Sequence, residues 1–224
     1  MTVITISRQY ASGGDEIAQR VGELLHYQHF DKTMITLAAL EAGLSEHEVF
    51  DYSEQDYKVR TFLDRLLGRT AVVAQGRFWQ ENAMGIRSVQ EIPLNEEMAV
   101  MLVQKAIKSA YQAGNMIIVG RGGQMVLRDM PAVLHVRVVA PMEDCIQRVK
   151  QEIKKDRAEF RADIDARREA QDLITARDAA SAGYIEQFYH QNWDDPLLYH
   201  LVLNTGQLNI EQAAQVVAKL AAEF

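Results

Sequence analysis

The stretch ITISRQYASGGDEIAQRVGELL, residues 4–25, decides how the rest of the chain is read. The β-branched run over Val3–Ser7 predicts a short, largely buried strand. Gly13 and Gly14 follow, and Ile17, Val21, Leu24 and Leu25 then recur at helical spacing. Strand, tight turn and helix succeed one another without a gap, which is how a phosphate-binding loop is built. The full pattern of such loops, G-x-x-x-x-G-K-[ST], nevertheless fails on RQYASGGD, residues 8–15. Arg8 stands in place of the first glycine, Gly14 in place of the lysine and Asp15 in place of the serine or threonine; only Gly13 fits.

The physics of the loop is partly kept. Ser12, Gly13 and Gly14 can turn tightly and leave backbone N–H groups facing an anion at the positive end of the following helix. The lysine charge is missing, and Arg8 could restore it from the other end of the loop with a two-pronged donor fork. Asp15 repels a phosphate unless Mg²⁺ lies between them, so it is the one candidate for direct metal ligation. Two plainer readings stand beside these: an ordinary glycine turn, and an Arg8–Asp15 ion pair with a purely structural role.

Working outward, Tyr27–Phe30 reads as a second short strand ending at Asp31. Residues 32–113 carry mainly helical signals, including a Ser45/Glu48 capping box and an apolar stripe of Met98, Leu102, Ala106 and Ala110 that stops at Gly114. Residues 70–93 show no clear pattern. MIIVG (116–120) and AVLHVRVVA (132–140) read as strands, and Pro141, Glu143 and Asp144 make a good helix start, with Met142, Ile146, Val149 and Ile153 as its apolar face. LVLNT (201–205) is a last strand, followed by a helix capped at Asn209 and lined by Ile210, Ala214, Val217 and Ala221. Strands alternating with helices predict an α/β fold with a parallel sheet covered on both faces. Ligands of such sheets sit beyond the carboxyl ends of the strands, here at Ser7, Asp31, Gly120, Ala140 and Thr205.

Composition narrows the class. The chain has 224 residues, 48% of them hydrophobic, and a formal net charge of −7, which gives it no global attraction to nucleic acid or to an anionic membrane. Its single cysteine excludes an intrachain disulfide, and the six histidines lack metal-binding spacing. No apolar run reaches the roughly 18 residues of a bilayer span, and no leader opens the chain, so a cytoplasmic location is expected. The charge-rich run over 150–169 reads either as a solvated helical hairpin or as a lid that brings arginines onto phosphates.

An ordered set of motifs covers nearly the whole chain: S-R-x-Y-x-S-G-G, F-D-K, I-V-G-R-G, H-V-R-V-V-A-P, W-D-D-P-x-x-Y and L-V-L-N-T. Together they resemble the bacterial cytidylate kinase-like family. The resemblance implies a three-layer fold of the P-loop, nucleoside-monophosphate-kinase type in one domain. Its core would comprise about 1–32, 95–150 and 170–224, with a helical acceptor-binding lobe at about 33–94 and a lid at about 151–169. It also implies ATP as donor, Mg²⁺ as cofactor and a nucleoside monophosphate as acceptor, with CMP or dCMP first. Carried over by position, Ser12, Gly13, Gly14 and Asp15 would cradle the donor phosphates. Arg8, Arg121 and the lid residues Arg157 and Arg161 would supply catalytic charge, and Asp31, Lys32, Arg121 and Asp178 would bind the acceptor.

Three positions depart from the family pattern. Gly122 replaces the aspartate of Gly-Arg-Asp, Ser181 replaces the arginine of Asp-x-x-Arg, and His200 stands where relatives often have aspartate. They leave two alternatives open: a nucleotide-binding module with little or no transfer activity, and a kinase of another small acceptor. Trp193, Tyr189 and Tyr199 read as core packing and His135 as a satisfied buried histidine. Phe62, Leu66, Leu67, Phe78 and Trp79 are candidates for a homo-oligomer surface.

Overall fold

The computed structural model describes residues 2–41, 74–81, 87–94, 96–156 and 163–224. Strand β1 (Val3–Arg8) leads through the glycine turn into α1 (Gly14–Leu25), and β2 (Gln28–His29) leads into α2 (Lys32–Glu41). β3 (Ala74–Glu81) and β4 (Arg87–Leu94) precede α3 (Glu96–Ala113). Then come β5 (Met116–Val119), the short α4 (Gly123–Val126), β6 (Val133–Val139), α5 (Met142–Asp156) and the long α6 (Asp163–Tyr189). A 3₁₀ turn (Pro196–Leu198), β7 (Leu201–Asn204) and α7 (Ile210–Ala221) complete the described chain.

Five strands form one all-parallel sheet in the order β2-β5-β1-β6-β7. β1 is central, and the chain crosses to both sides of it, so the crevice for a ligand opens at the carboxyl end of β1. Side-chain alternation splits the strands between two cores. Ile4, Ile6, Ile117, Leu134, Val136 and Val138 pack against α1 and α7 through Ile17, Val21, Ala214 and Val217. Val3, Met116, Ile118 and Val133 pack the other way, against Ile35, Val103, Ala106 and Ile107 of α2 and α3. Gly114 ends α3 at φ 70°, and Asn209 and Gln212 close a reciprocal capping box on α7.

Three expectations need correction. The segment read as helical from 32 to 113 contains an antiparallel hairpin, β3 paired with β4, with Phe78 opposite Gln90 and Trp79 opposite Val89. Aromatic and β-branched residues favour extended backbone, and that preference wins where no helical stripe opposes it. Met142 lies 44% exposed; Cys145 takes the buried place beside Ile146 and Val149. Leu24 likewise sits at the margin of its helix face rather than in the core. The Ser45/Glu48 box and Phe62, Leu66 and Leu67 lie outside the described residues.

A parallel sheet covered on both faces should be apolar almost throughout, yet one seam is polar. Thr5 is the register partner of His135, and Ser7 of Arg137. The Thr5 hydroxyl lies 2.7 Å from His135 Nδ1. His135 is thus satisfied on one nitrogen, while Nε2 has no partner among the described residues. Burial, with His200 beside it, holds this imidazole down at about 4, so it is neutral near neutral pH. His200 stacks on the ring of His135 at 5.1 Å and accepts its backbone N–H through Nδ1.

Arg137, 2% exposed, donates Nη1 to Ser7 Oγ and Nη2 to Asp194, and its guanidinium lies 3.7 Å from the centre of the Trp193 ring. Trp193 Nε1 donates to the same Ser7 hydroxyl at 2.8 Å, and the Tyr199 hydroxyl donates to the Trp193 carbonyl. Trp193 and Tyr199 are therefore core residues, as their sequence context suggests. Arg137→Ala should cost about 3 kcal/mol or more in a urea melt, because it removes one donor to Ser7 and the guanidinium packed over Trp193, leaving a cavity among buried side chains. Asp194→Ala should also destabilise, by about 2 kcal/mol or more, because it takes the carboxylate from a guanidinium whose side chain is only 3% exposed.

Candidate functional site

The loop between β1 and α1 is held by contacts from five other parts of the chain. Ala11 and Gly13 both have left-handed backbone, at φ 57° and 85°. The φ of 85° favours glycine at position 13, and a Cβ there would also displace Ile210 Cδ1, which would lie 2.6 Å away. The first helical bond runs from Ile17 N–H to the Gly13 carbonyl. The amides of Gly13, Gly14 and Asp15 have no hydrogen-bond partner among the described residues, which is the unsatisfied set expected at a helix start. Ser12 and both glycines are buried, and the Ser12 hydroxyl donates back to the Val138 carbonyl. Backbone donors at a helix N-terminus are suited to a phosphate.

The replacement of lysine by glycine has a steric cause. A Cβ on Gly14 would lie 2.5 Å from Arg8 Cβ and 2.8 Å from Arg8 Cγ. The stem of Arg8 therefore runs through the space in which a lysine at position 14 would begin. Arg8 Nε donates to both oxygens of Asp15 at 3.3 and 3.4 Å. This is the ion pair considered from sequence, and it uses only Nε; the two Nη groups have no partner among the described residues. Asp15, 65% exposed, faces Arg8 across this pair.

Asp178, on α6, accepts the Tyr10 amide at 2.7 Å, so its carboxylate holds the loop. Burial is the main cause that raises this carboxyl to about 6. Asp31 caps α2, accepting from the Met34 amide and the Thr33 hydroxyl. Lys32 is the first residue of α2.

Arg121 follows β5 at φ 57°, between Gly120 at 66° and Gly122 at 68°. Three successive left-handed residues, one of them not glycine, are strained backbone of the sort found at functional turns. The guanidinium of Arg121 lies 5.6 Å from the centre of the Phe30 ring. An aspartate at Gly122 would be strained by the left-handed backbone and crowded, since a Cβ there would lie 3.1 Å from Tyr184 and Tyr189. Ser181 is buried at 3% exposure. Arg157 and Arg161 lie outside the described residues.

Two residues close to the loop gain a role that sequence reading did not assign. Arg148, in the second turn of α5, donates to the Ala11 carbonyl at 3.0 Å and to Thr205 Oγ1 at 3.3 Å. Thr205 donates to the Ser12 carbonyl at 2.6 Å. A signal was available: α5 starts just past Ala140, at the ligand end of the sheet, so its first turns lie beside the loop.

Sheet order, loop and helix start define an α/β fold of the P-loop, nucleoside-monophosphate-kinase type. The model of the cytidylate kinase-like family matches residues 3–207, and the chain belongs to that family. A comparison with curated proteins returned no match. Among solved structures, an uncharacterized protein from Eubacterium ventriosum is similar at 13% identity, with all of both chains covered and a TM-score of 0.60. At that identity the likeness is one of fold alone. Shikimate kinases from Bacteroides thetaiotaomicron and Acinetobacter baumannii align at 12% and 13% identity, with TM-scores of 0.49 and 0.44. All of this chain is covered in both, with 99% and 94% of theirs. No helix among the described residues is long and apolar enough to cross a membrane.

Two outcomes test this geometry. Gly14→Ala should destabilise by about 2 kcal/mol through overpacking against Arg8, and most of the loss should return in the Arg8→Gly background. Asp178→Asn keeps an acceptor for Tyr10 but removes the ionisation. The carboxyl is raised in the folded chain, so its ionisation lowers stability as pH climbs from about 4 to about 6. The variant should therefore be more stable than the parent above pH ~6 by about 1 kcal/mol, after allowance for solvent screening, and the gap should close near pH ~4 in denaturant melts.

Proposed function

We propose that the chain transfers the terminal phosphoryl group of ATP to a nucleoside monophosphate, with CMP and dCMP the first acceptors to test. One observation carries this reading beyond family membership: the Arg8 stem occupies the start of the missing lysine's path. A loop that had simply lost function would have no reason to fill that space with a second cation. Phosphoryl transfer needs positioning and positive charge around the migrating group more than it needs covalent chemistry. Arg8 suits the work, since Asp15 fixes Nε and leaves the planar fork of Nη1 and Nη2 for phosphate oxygens.

The residues present fit the donor's phosphates, through the amides of Gly13, Gly14 and Asp15. Mg²⁺ would be carried chiefly by the phosphates and water, as is usual for this ion, with Asp15 the loop carboxylate nearest at hand. When bound it supplies neutralising charge between donor oxygens. Arg121 at its strained turn, beside Phe30, would meet the acceptor, and Arg157 and Arg161 would close over it. Asp178 we assign to holding the loop, and Asp31 to capping α2 with Lys32 beginning that helix at the acceptor end of β2. The chain would work in the cytoplasm.

A second reading has its own observation. Gly122 and Ser181, where the family pattern has aspartate and arginine, sit in tight or buried surroundings: Gly122 has left-handed backbone against Tyr184 and Tyr189, and Ser181 is 3% exposed. An acceptor side remodelled in this way also suits a nucleotide-binding module without transfer, or a kinase of another small acceptor. ADP release from Mg·ATP, measured with each nucleoside monophosphate, with a panel of non-nucleotide acceptors and with none, separates these readings. Acceptor-dependent ADP formation is expected, falling at least about 100-fold in Arg8→Ala. ATP binding without turnover on any acceptor would establish the module instead.

A further inference from the structure

We propose that Thr205 and Arg148 are positioning residues that set the direction of the loop amides by holding the loop carbonyls from behind. The inference rests on the reading of the loop as a phosphate cradle. It adds what aims that cradle.

The geometry follows from the planarity of the peptide bond. In a trans peptide the C=O and the next residue's N–H point in opposite directions, and the described chain contains no cis bond. Arg148 Nη1 holds the Ala11 carbonyl at 3.0 Å. The Ser12 amide must then point away from Arg148, and it does, meeting the Gln9 carbonyl at 3.2 Å. Thr205 Oγ1 holds the Ser12 carbonyl at 2.6 Å. The Gly13 amide must accordingly point away from Thr205, to the opposite face of the loop, where no described residue meets it.

The two holders are coupled. Arg148 Nη2 also reaches Thr205 Oγ1 at 3.3 Å, so the hydroxyl can accept from the arginine while donating to Ser12. Thr205 is buried at 8% exposure, at the carboxyl end of β7, and its own amide is fixed to the Val139 carbonyl. Its hydroxyl therefore has a rigid base. Ala11, with left-handed backbone and no glycine to ease it, is a conformation that the Arg148 contact helps to impose. Two side chains, 137 and 193 residues away from the carbonyls they hold, share the task of shaping the loop.

The probe is inorganic tripolyphosphate, titrated calorimetrically into the full chain, which isolates the cradle from any base or acceptor site. Thr205→Val leaves net charge unchanged and should weaken binding about tenfold, the loss expected when a fixed donor is removed. Thr205→Ser keeps the hydroxyl and should bind like the parent. Arg148→Gln should also weaken binding, and its ratio to the parent should persist at about 0.5 M salt, where exposed charges are largely screened. This second variant decides the matter if Thr205→Val does not fold. Parent-like binding by Thr205→Val, or an Arg148→Gln deficit that vanishes at high salt, would overturn the positioning role while leaving the cradle intact. No binding by the parent chain would instead remove the phosphate reading, and this inference with it.

Discussion

The hydroxyl of Ser7, at the carboxyl end of the central strand, is the point from which the ligand side of the sheet is built. It receives hydrogen bonds from the Arg137 guanidinium and the Trp193 indole, and it lies 3.3 Å from the Tyr199 hydroxyl. A serine oxygen can accept two bonds and donate one, so all three neighbours can be served at once. The arrangement lets a guanidinium be buried in a strand, a position that would otherwise carry a heavy desolvation cost. It also ties residues 193–199 across β1 and β6 immediately before Arg8. The polar seam is thus a structural staple set one residue from the candidate site.

From that staple the loop extends as a composite object. Its backbone comes from residues 9–15, but its shape is held by α5 through Arg148, by α6 through Asp178, by the end of β7 through Thr205 and by α7 through Ile210. Each contact restrains a different atom: a carbonyl, an amide, a second carbonyl and the Cα face of a glycine. Long-range restraint of this kind suits a loop whose own sequence has only two glycines. It also places the loop's stability in the hands of the elements that border any lid.

Much of the fold could be read from sequence, because a buried parallel strand is a short apolar run and each helix here has an amphipathic stripe or a recognisable end. Gly114, Asn209 with Gln212, and the residues at strand ends all behave as local chemistry requires. What escaped reading depended on partners far away in the chain. The β3–β4 hairpin is set by cross-strand pairing, and nothing local marks its register. Asp178 carries a family-like position, yet its carboxylate meets the Tyr10 amide, a contact 168 residues distant. Arg148 resembles any charged residue of an amphipathic helix until the loop is laid beside it. The break of the apolar pattern at Thr5, Ser7, His135 and Arg137 was visible, and its meaning lay in the register that makes two cross-strand pairs of the four.

The crossing of Arg8 over Gly14 bears on how such loops can change over time. A lysine at 14 and a long side chain at 8 compete for one volume, so each arrangement excludes the other. A single replacement starting from either arrangement produces a crowded loop or one with no cation. Lineages using the two solutions would therefore sit on separate ridges of a fitness landscape, crossed only by paired change. Glycine followed by acid, preceded six residues earlier by arginine, is then a signature in its own right, and searches keyed to the lysine will pass over it.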